Sequence, residues 1–470
     1  MPFVLSGNVG SATAATGFNV DNSCMFNSAD SASMEKDAAA PTDNNKWTFS
    51  AWVKRSKLGT LQEIFYGEAN STNYCTIRFN DTSDTLTFKN RPGSTTSTLT
   101  TSAVFRDPNA WLHLVVVLDT SNGTAANRDI IYINGVRETN FSTESHSGDG
   151  DVCYINSDGD AMKISKGNSA SFFNGYMAEV YFIDGQALAA SDFGEFDEDS
   201  PTIWKPKDAS GLTFGNNGFY LDFKASGNLG NDANGGTDLT ESNLAATDQS
   251  TDTCTNNFST LNSLIYITNA GMTLSEGNLK VVTSADAHRN AYGTMGVSSG
   301  KWYWEINIVD TTGDHQKIGV VNEDNAEINK TSPSEFSGDA NGYAYRTDGQ
   351  KENNDSASSY GNSYTDDDII GVAMDLDNNK LYFSKNGTFQ NSGDPTTGST
   401  GTGSAFNLAA NKTYFAAINQ YGGNTSSFNF GSPPYAVSSG NADGNGFGNF
   451  EYAPPSGYFA LCTKNLAEFG

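Results

Sequence analysis

The segment Asp366–Gly387, DDDIIGVAMDLDNNKLYFSKNG, restricts the possible folds more than any other stretch of this sequence. Its apolar side chains alternate on both sides of a turn: Ile370, Val372, Met374 and Leu376, then Leu381 and Phe383. Side chains alternate between two faces along a strand, whereas a helix repeats about every 3.6 residues, so this pattern predicts a β-hairpin. Asp377-Asn378-Asn379 supplies its turn, and Asn386-Gly387 predicts a second turn directly after it.

The length and composition predict more than one domain and an all-β fold. A chain of 470 residues exceeds what one hydrophobic core usually organises, so about two or three domains are expected. Only 37% of the residues are hydrophobic, yet 12% are aromatic and 48 are glycine. This mixture is typical of many short strands joined by tight turns rather than of disorder.

The charge of the chain argues against partners that carry phosphate. There are 27 Lys and Arg residues against 54 Asp and Glu residues, which gives a formal net charge of −27. A nucleic-acid partner requires a basic surface, so we expect no nucleic-acid binding. No run of about 18 apolar residues occurs, and the N-terminus lacks the features of a secretory signal. We therefore expect that the protein does not insert into a membrane. We also expect that it is synthesised in a reducing cytoplasm.

The cysteines favour neither a disulfide framework nor a zinc site. They are odd in number, scattered and without Cys-x-x-Cys spacing: Cys24, Cys75, Cys153, Cys254 and Cys462. An odd number cannot pair completely within one chain, and zinc sites usually take closely spaced pairs.

The first half of the chain also consists of short apolar segments. Trp47–Lys54 (WTFSAWVK) alternates and places Trp52 on the face opposite its other apolar side chains, as in an inner strand of a sandwich. Trp111–Asp119 (WLHLVVVLD) is apolar on both faces and short, which favours a buried strand. Ile130–Val136 contains Asn134-Gly135, a strong hairpin signal.

These patterns predict an all-β protein of two antiparallel β-sandwich domains joined by a structured, turn-rich linker. The linker is expected where Gly, Asn, Asp, Ser and Thr dominate the composition. The predicted boundaries are an N-terminal arm at 1–17, a first sandwich at 18–193, the linker at 194–261, a second sandwich at 262–435 and a C-terminal tail at 436–470.

The second sandwich resembles a SPRY domain. IIGVAMDLDNNKLYFSKNG is similar to the family's central hairpin, a hydrophobic-Gly-Val strand, a D-x-D turn and an aromatic strand that ends in Asn-Gly. Further segments resemble other SPRY strands in the family's order: Gly300–Ile306, Ile318–Val320, Gly342–Tyr345, Tyr414–Ile418 and Phe428–Gly431. The resemblance implies a binding module that uses loops at one end of its sandwich.

The first sandwich resembles a laminin-G-like jelly roll of the concanavalin type. The family's order is an FSxWVK strand, a WxHxxxxxD strand, a YxNG hairpin and a closing FxGxxxEVxxY strand. The corresponding segments here are WTFSAWVK, WLHLVVVLD, IIYINGV and Phe173–Phe182. This resemblance likewise implies a binding module.

The sequence offers no motif for catalysis. Glucanases of the concanavalin type carry E-x-D-x-x-E on one strand, whereas Glu195-Phe196-Asp197-Glu198 lacks the final spaced Glu and follows the last jelly-roll strand. His113 lies inside an apolar strand, where a structural histidine is expected, and no nucleophile motif accompanies any histidine. We predict no enzymatic activity, no catalytic residue and no cofactor.

One alternative concerns a metal. Laminin-G-like folds often hold Ca²⁺ in edge loops, and aspartates crowd the loop Asp149–Asp160. Neither this loop nor Asp375–Asn379 completes the EF-hand spacing. We predict solvated turn acids and no metal, with Ca²⁺ at the Asp149–Asp160 loop as the alternative.

The candidate ligand contacts are aromatic side chains in the SPRY-like half. Tyr343, Tyr345, Tyr360 and Tyr364 bracket long polar loops, and we predict that they stack on a sugar or anchor a protein partner, with core packing as the alternative. The long polar loops are Asn322–Asn341, Gly349–Asp366 and Gln390–Ser404. Their Ser, Thr, Gly, Asn and Tyr content is similar to that of an adaptable binding surface.

The combination of both domains resembles a structural protein of tailed bacteriophages, particularly of marine (cyanophage) type. The resemblance implies a non-enzymatic virion surface protein, a tail fibre or spike that binds a host-surface glycan or protein. We expect assembly with other virion proteins in the host cytoplasm, the SPRY-like half facing outward, and a homo-oligomer, most simply a trimer, that covers exposed sheet edges. The alternatives are a capsid decoration or head fibre protein and a soluble lectin-like or adaptor protein.

Overall fold

The computed structural model describes residues 4–5, 17–168, 171–266, 271–284, 286–313, 315–328, 330 and 334–470. The chain divides into two compact units, an N-terminal unit at Ala15–Thr255 and a C-terminal unit at Asn256–Gly470, the latter together with Val4–Leu5. Strands make up 42% of the structure and helices 8%, which confirms the predicted all-β class. No helix in the described part of the chain is both long and apolar enough to cross a membrane.

The strands are short and follow one another closely. The first nineteen are β1 (Val4–Leu5), β2 (Ser23–Phe26), β3 (Ser33–Asp37), β4 (Lys46–Arg55), β5 (Gln62–Asn70), β6 (Asn73–Phe79), β7 (Thr85–Pro92), β8 (Ser97–Val104), β9 (Trp111–Asp119), β10 (Asp129–Ile133), β11 (Val136–Arg137), β12 (Phe141–Ser145), β13 (Ala161–Ile164), β14 (Gly175–Asp184), β15 (Gly194–Phe196), β16 (Trp204–Pro206), β17 (Phe219–Leu221), β18 (Thr240–Ser242) and β19 (Gln249–Ser250). The others are β20 (Met272–Ser275), β21 (Lys280–Thr283), β22 (Arg289–Tyr292), β23 (Met295–Gly296), β24 (Lys301–Asp310), β25 (Lys317–Asn322), β26 (Gly342–Arg346), β27 (Gln350–Asn353), β28 (Ser356–Ser359), β29 (Ile369–Asp375), β30 (Lys380–Lys385), β31 (Thr388–Phe389), β32 (Phe406–Asn407), β33 (Tyr414–Gln420), β34 (Thr425–Asn429) and β35 (Phe459–Ala460).

The helices of the described residues are few and short. The two α-helices are α1 (Ser263–Tyr266) and α2 (Thr463–Phe469). The 3-10 helices are Ala125–Asn127, Tyr154–Asn156, Ala190–Asp192, Ala246–Asp248, Phe336–Gly338, Gln390–Ser392 and Pro395–Thr400.

The N-terminal unit is a sandwich of two antiparallel sheets. One sheet has the order β11-β10-β9-β4-β14-β2-β19, with β17 also paired to β14, and the other has the order β12-β8-β7-β6-β5-β13-β3-β18. The core forms where alternate side chains of the two sheets meet: Phe49 stacks on Phe65 at 4.8 Å, and Trp47 meets Phe88 edge-on at 5.8 Å. Trp52 points to the opposite face, as the alternation of WTFSAWVK predicts.

Residues 194–255, assigned to a linker from the sequence, contribute strands to the N-terminal unit. β17 extends the pairing of β14, β18 pairs with β3, and β19 pairs with β2, while β15 and β16 form a separate hairpin. Each added strand is only two or three residues long, because turn-forming residues interrupt the chain between them.

The C-terminal unit is built from two further sheets. The larger has the order β20-β21-β34-β24-β29-β30-β31, with β32 paired to β30 and β35 paired to β24, and the smaller has the order β22-β33-β25-β26-β27-β28. The predicted hairpin is confirmed as β29 and β30, which pair from Ile370↔Lys385 to Asp375↔Lys380. Its alternate apolar side chains are all in one core cluster: Ile370, Val372, Met374, Leu376, Leu381 and Phe383.

Each sheet of the C-terminal unit also carries apolar groups on its outer face. On the larger sheet, residues near the C-terminus, including Phe450 and Tyr458, pack against Tyr303. On the smaller sheet, Ile328 and Phe336 form part of a separate buried cluster. Chain segments outside the strands therefore cover part of both outer faces. The segment that contains Ile328 and Phe336, on the smaller sheet, forms one wall of a pocket.

Candidate functional site

A polar pocket of about 580 Å³ opens on the C-terminal unit. Its lining is almost entirely charged or hydrogen-bonding: Thr311, His315, Gln316, Lys317, Glu335, Arg346, Thr347, Asp348, Glu352, Asp355, Tyr364 and Thr365. These residues belong to β25, β26 and β27 of the smaller sheet and to the segments beside these strands. The size falls within the range of about 300–1,000 Å³ typical of ligand sites.

Strand register brings the two basic residues of the pocket together. Lys317 on β25 pairs directly with Arg346 on β26, and the next pair, Ile318 with Tyr345, points into the core. Because side chains alternate across a sheet, Lys317 and Arg346 share the outer face. Glu352 on β27 is placed opposite Ala344, two residues before Arg346, and so lies diagonally across from that guanidinium.

The segment before β26 supplies a further acid of the pocket, Glu335. Ile328 and Phe336 pack with Val321, Ala344 and Phe415 on the outer face of the smaller sheet. Neighbouring polar groups are fixed by this packing: the Glu335 carboxylate contacts Lys317 Nζ, and Ser337 Oγ donates to Glu352 Oε1 at 2.7 Å. An apolar anchor thus holds Glu335 beside Lys317.

The charged side chains form one continuous chain of alternating sign. Lys317 Nζ bonds both Glu335 Oε2 and Glu352 Oε1, the latter at 2.6 Å. Arg346 Nη1 lies 2.6 Å from Glu352 Oε2, and its Nη2 lies 2.9 Å from Asp348 Oδ2. Lys317 and Glu352 have side chains that are only 5% exposed, so this part of the chain of charges is screened little by solvent.

These contacts set the ionisation of the pocket. Burial raises the pKa of Glu352, but the hydrogen bonds and charges of Lys317, Ser337 and Arg346 outweigh burial and hold its pKa below the ordinary value. Burial lowers the pKa of Arg346, but the bonds to Glu352 and Asp348 outweigh burial and raise it. Both groups are therefore charged near neutral pH.

One acidic side chain of the pocket lies outside this chain of charges. The exposed Asp355 carboxylate comes within 4.8 Å of those of Glu335 and Glu352 without sharing their hydrogen bonds to Lys317. The pocket therefore keeps acceptor capacity that its own donors do not use.

A pair of histidines borders the pocket. His315 lines it, and His288 Nε2 lies 3.4 Å from Glu335 Oε1. The two rings meet edge-on at 6.4 Å, and both pack against Tyr421. His288 Nδ1 also lies 3.0 Å from Asn419 Oδ1, so its ring position is fixed from two sides.

The four predicted tyrosines lie mainly in the core. All belong to the central cluster of the C-terminal unit, with exposures of 7% for Tyr343, 0% for Tyr345, 8% for Tyr360 and 3% for Tyr364. Tyr345 stacks on Phe383 at 5.3 Å. These positions favour the packing alternative, and the prediction that the four rings contact a ligand gains no support from them.

Tyr364 alone among these tyrosines also lines the pocket. Its hydroxyl lies 3.2 Å from Gln316 O and 3.3 Å from Tyr345 O, and burial raises its pKa well above the ordinary value. It therefore acts as a buried donor to the backbone at the pocket wall.

Two of the three predicted loops contribute to the pocket. Glu335 comes from Asn322–Asn341, and Glu352 and Asp355 come from Gly349–Asp366, which also contains the strands β27 and β28. No residue of Gln390–Ser404 lines it, and that segment holds two 3-10 helices.

Further residues weighed from the sequence lie in the N-terminal unit. In the string Glu195–Glu198, which lacks the glucanase motif, Asp197 pairs with Lys205 Nζ at 3.3 Å. His113 is structural, as predicted: Trp204 Nε1 donates to its Nδ1, Ser50 Oγ meets its Nε2, both at 2.9 Å, and burial lowers its pKa to about 3. Among the described residues, the three acids close enough to share an ion are those at the pocket rather than in Asp149–Asp160.

Sequence reasoning did not single out Lys317, Arg346 and Glu352. Lys317 begins β25, Arg346 ends β26 and Glu352 lies in the polar strand β27, so no break in an apolar alternation marks them. Their convergence depends on the register of three strands, which alternation alone does not specify.

Two segments match known domain families. Residues 301–433 match the SPRY domain family, and residues 27–192 match the concanavalin A-like lectin/glucanases superfamily. A SPRY domain and a concanavalin A-like domain are thus found in the chain, which confirms both domain resemblances seen in the sequence. Lectin-like and SPRY domains of this kind are typically non-catalytic binding modules.

Solved structures give weaker similarities. The crystal structure of the SPRY domain of human HERC1 is 18% identical, with a TM-score of 0.26, and the match covers 32% of this chain and 87% of that chain. The stonustoxin structure is 19% identical, with a TM-score of 0.28, and the match covers 36% of this chain and 27% of that chain. Comparison with curated proteins gives no match. The domain assignments therefore rest on the two family matches.

Proposed function

We propose that this protein is a non-enzymatic binding protein of a virion surface, a tail fibre or spike that binds a host-surface glycan or protein. The observation that carries the proposal is the polar pocket of about 580 Å³ on a domain of binding type. Two long polar loops contribute to this pocket, and loops on a rigid sandwich commonly carry recognition. The second domain is also of a binding type, which suits attachment to other virion proteins.

The chemistry of the pocket favours recognition over catalysis. Lys317 and Arg346 are each paired with two carboxylates, and their bonds hold Glu352 in its charged form. A general acid needs a pKa near the working pH, whereas the pKa of Glu352 is shifted away from it. Fixed, complementary charges instead provide specificity for a polar partner.

Electron microscopy of intact particles tests the location of the protein. Antibody fragments against the chain are expected to decorate the tail or another appendage, and binding along the capsid would instead favour a decoration or head fibre role. Particles that contain no copy of the chain would overturn the virion assignment and favour a soluble lectin-like protein.

Competition for host cells tests the binding role. An excess of the purified chain is expected to reduce adsorption of particles. Asp355→Arg, which fills the pocket and reverses a charge at its rim, is expected to remove most of this competition. Asp367→Arg is the matched control, because both aspartates are exposed and have positive φ values, 54° and 65°. Equal competition by both variants would place binding outside the pocket.

A further inference from the structure

Cys75 and Cys153 lie far apart in the sequence but belong to the same buried core of the N-terminal unit. Cys75 is on the inner strand β6, and Cys153 directly precedes the 3-10 helix Tyr154–Asn156. Both are free thiols, and both are 0% exposed. The odd number of cysteines excludes complete pairing within the chain, but it does not exclude one pair.

The register of β5, β6 and β7 determines what lies beside Cys75 in the sheet. Cys75 pairs with Gly67 on β5 and with Asn90 on β7. Residues directly opposite one another in a sheet present their side chains on the same face. Because Cys75 belongs to the core, the three positions form one row across the inner face of the sheet.

The backbone before the 3-10 helix crosses this row. At one end of the row, Asn90 Nδ2 donates to Val152 O at 3.1 Å. At the other end, a β-carbon at Gly67 would lie only 2.3 Å from Tyr154 O, so the backbone of Tyr154 packs directly on this glycine. The residue between Val152 and Tyr154 is Cys153, and it is therefore placed over the middle of the row.

The middle of the row is Cys75, so the two thiols are neighbours in the core. Burial raises the pKa of the Cys75 thiol well above its ordinary value, and the neighbouring Cys153 thiol raises it further. The thiolate is the reactive form of cysteine, so a thiol with a raised pKa reacts slowly. The pair therefore stays reduced while the core is closed.

We propose that Cys75 and Cys153 are a cross-linking site, at which a small-molecule disulfide oxidises the folded chain to an intramolecular disulfide. The inference does not depend on the proposed binding function. The new bond fastens the segment 147–156 to β6 and closes a long loop of the chain. Protein synthesised in a reducing compartment folds with both thiols reduced, and the bond forms when the chain reaches an oxidising one.

Cys153 is the thiol that the oxidant reaches first. Residues 148–150 and 158–159 on either side of it are exposed, whereas Cys75 lies on an inner strand, so opening of this segment uncovers Cys153. The Cys153 thiolate attacks one sulfur of the small disulfide, and the first half leaves and takes up the Cys153 proton. When the segment closes, Cys75 attacks the Cys153 sulfur, and the second half leaves with the Cys75 proton. The two cysteines are thereby oxidised to one disulfide, and the small disulfide is reduced to two thiols.

Peptide mapping of the oxidised full-length chain tests the inference. The folded chain, purified with a reductant, is transferred to oxidised glutathione, its remaining thiols are blocked in acidic denaturant, and it is digested with trypsin. Trypsin releases Cys75 in residues 58–78 and Cys153 in residues 138–163, and neither peptide contains another cysteine. Mass spectrometry is expected to find these two peptides linked and to find them separate after treatment with dithiothreitol.

Stability measurements show whether the link fits the native fold. A disulfide that closes a long loop restricts the unfolded chain, so oxidation should raise the unfolding temperature of the N-terminal unit by about 5 °C. Hydrogen exchange of residues 147–156 should also slow, because the segment can no longer open. Cys75→Ala and Cys153→Ala are expected to lose the linked peptides and both effects. Cys254→Ala, at a partly exposed thiol of the same unit, is the control and should keep them.

Three results would overturn the inference, and each is measured on the wild type. The first is that peptides 58–78 and 138–163 are not linked after oxidation of the folded chain. The second is that they are linked only when the chain is oxidised in denaturant, or that the link lowers the unfolding temperature. The third is that glutathione remains attached to Cys153, which would show that Cys75 does not reach it.

Discussion

Glu179 is a buried carboxyl group on β14 of the N-terminal unit. It lies at a positive φ of 49°, where the register of β14 against β4 shifts between Ala178 and Tyr181. The bulge turns its side chain towards two hydroxyls, Tyr181 at 2.6 Å and Tyr220 at 2.9 Å, whose rings stack at 4.3 Å. Burial raises the pKa of Glu179 to about 7, although the two hydrogen bonds act in the opposite direction.

Glu179→Gln is expected to change the pH dependence of stability. The pKa of Glu179 is about 7 in the folded protein, above the value of about 4.3 in the unfolded chain. The protonated carboxyl group therefore makes its full contribution to the free energy of unfolding below about pH 4.3. That contribution is lost as the pH rises from about 4.3 through 7. The wild type should lose up to about 1.4 kcal/mol per pH unit in this window relative to the variant. Hydrogen exchange of β14 between pH 5 and 8 measures the difference. Exposed Glu195→Gln is the control, and parallel pH profiles for wild type and Glu179→Gln would contradict the prediction.

Lys317 neutralises the acidic side of the pocket. Lys317→Met keeps the length of the side chain but removes the ammonium between Glu335 and Glu352, with a stability loss of about 3 kcal/mol, as for other broken buried ion pairs. Three carboxylates within 4.8 Å would then be available to Ca²⁺.

Thermal unfolding with and without millimolar CaCl₂ tests this prediction for Lys317→Met. The variant should regain part of its lost stability with Ca²⁺, whereas the wild type should change little. Lys412→Met, at a half-exposed ion pair with Asp324, is the control and should respond as the wild type does. If Lys317→Met is less stable than the wild type but its unfolding temperature does not change with CaCl₂, the three acids do not bind one ion together.

At the residue scale, the sequence predicted the faces of strands better than the contacts between them. His113 was correctly predicted as structural because an apolar strand surrounds it. The sequence did not show whether the tyrosines beside the polar loops are buried. The ring of Tyr345 packs in the core, while its hydroxyl donates to Asn362 O in a polar loop. The pocket could not be predicted, because Lys317, Arg346 and Glu352 meet only through strand register.

At the element scale, the hairpin of β29 and β30 was the most predictable part of the fold. Alternation specified its buried face, and Asn379 and Asn386 adopt the positive φ values, 55° and 49°, that its turns require. The cover on the outer face of β24 was less predictable. Its residues, near Phe450, are rich in Gly and Asn and show no period, so their partner is visible only in three dimensions.

Glu305 fastens this cover to β24. Its carboxylate accepts hydrogen bonds from the backbone N–H groups of Glu451 at 2.9 Å and Tyr452 at 2.8 Å and from the Tyr303 hydroxyl at 3.0 Å. Phe450 packs edge-on against Tyr303 at 5.2 Å. One buried side chain thus satisfies two backbone donors of a segment that lacks regular secondary structure.

Glu305→Ala is expected to release the segment around Phe450 without unfolding the sandwich. Two backbone donors lose their acceptor, at about 1–3 kcal/mol for each one that stays buried. Hydrogen exchange should therefore accelerate at Glu451 and Tyr452 while β29 stays protected. Asp310→Ala, at the exposed end of the same strand, is the control. Equal protection of the segment in both variants would show that apolar packing alone holds it.

At the scale of the whole molecule, the exposed sheet edges bear on assembly. β12, at residues Phe141–Ser145, ends one sheet of the N-terminal unit, and β28, at Ser356–Ser359, ends the smaller sheet of the C-terminal unit. All of β28 and most of β12 are exposed. Neither strand contains Lys or Pro, the residues that commonly protect an edge from pairing with another chain. We propose that these edges are covered in a homo-oligomer, most simply a trimer.

Light scattering at micromolar concentration should give three times the mass of one chain. The net charge of −27 opposes association, so higher salt should strengthen it by screening the repulsion between copies. A lysine on an edge strand opposes pairing with a strand of another chain. Thr143→Lys should therefore shift the mass towards that of one chain if β12 is covered, and Ser358→Lys should do so if β28 is covered. Thr237→Lys, at an exposed position outside the strands, adds the same charge and should leave the trimer intact. A monodisperse monomer at every salt concentration would contradict the prediction, because uncovered edges would then be stable without a partner.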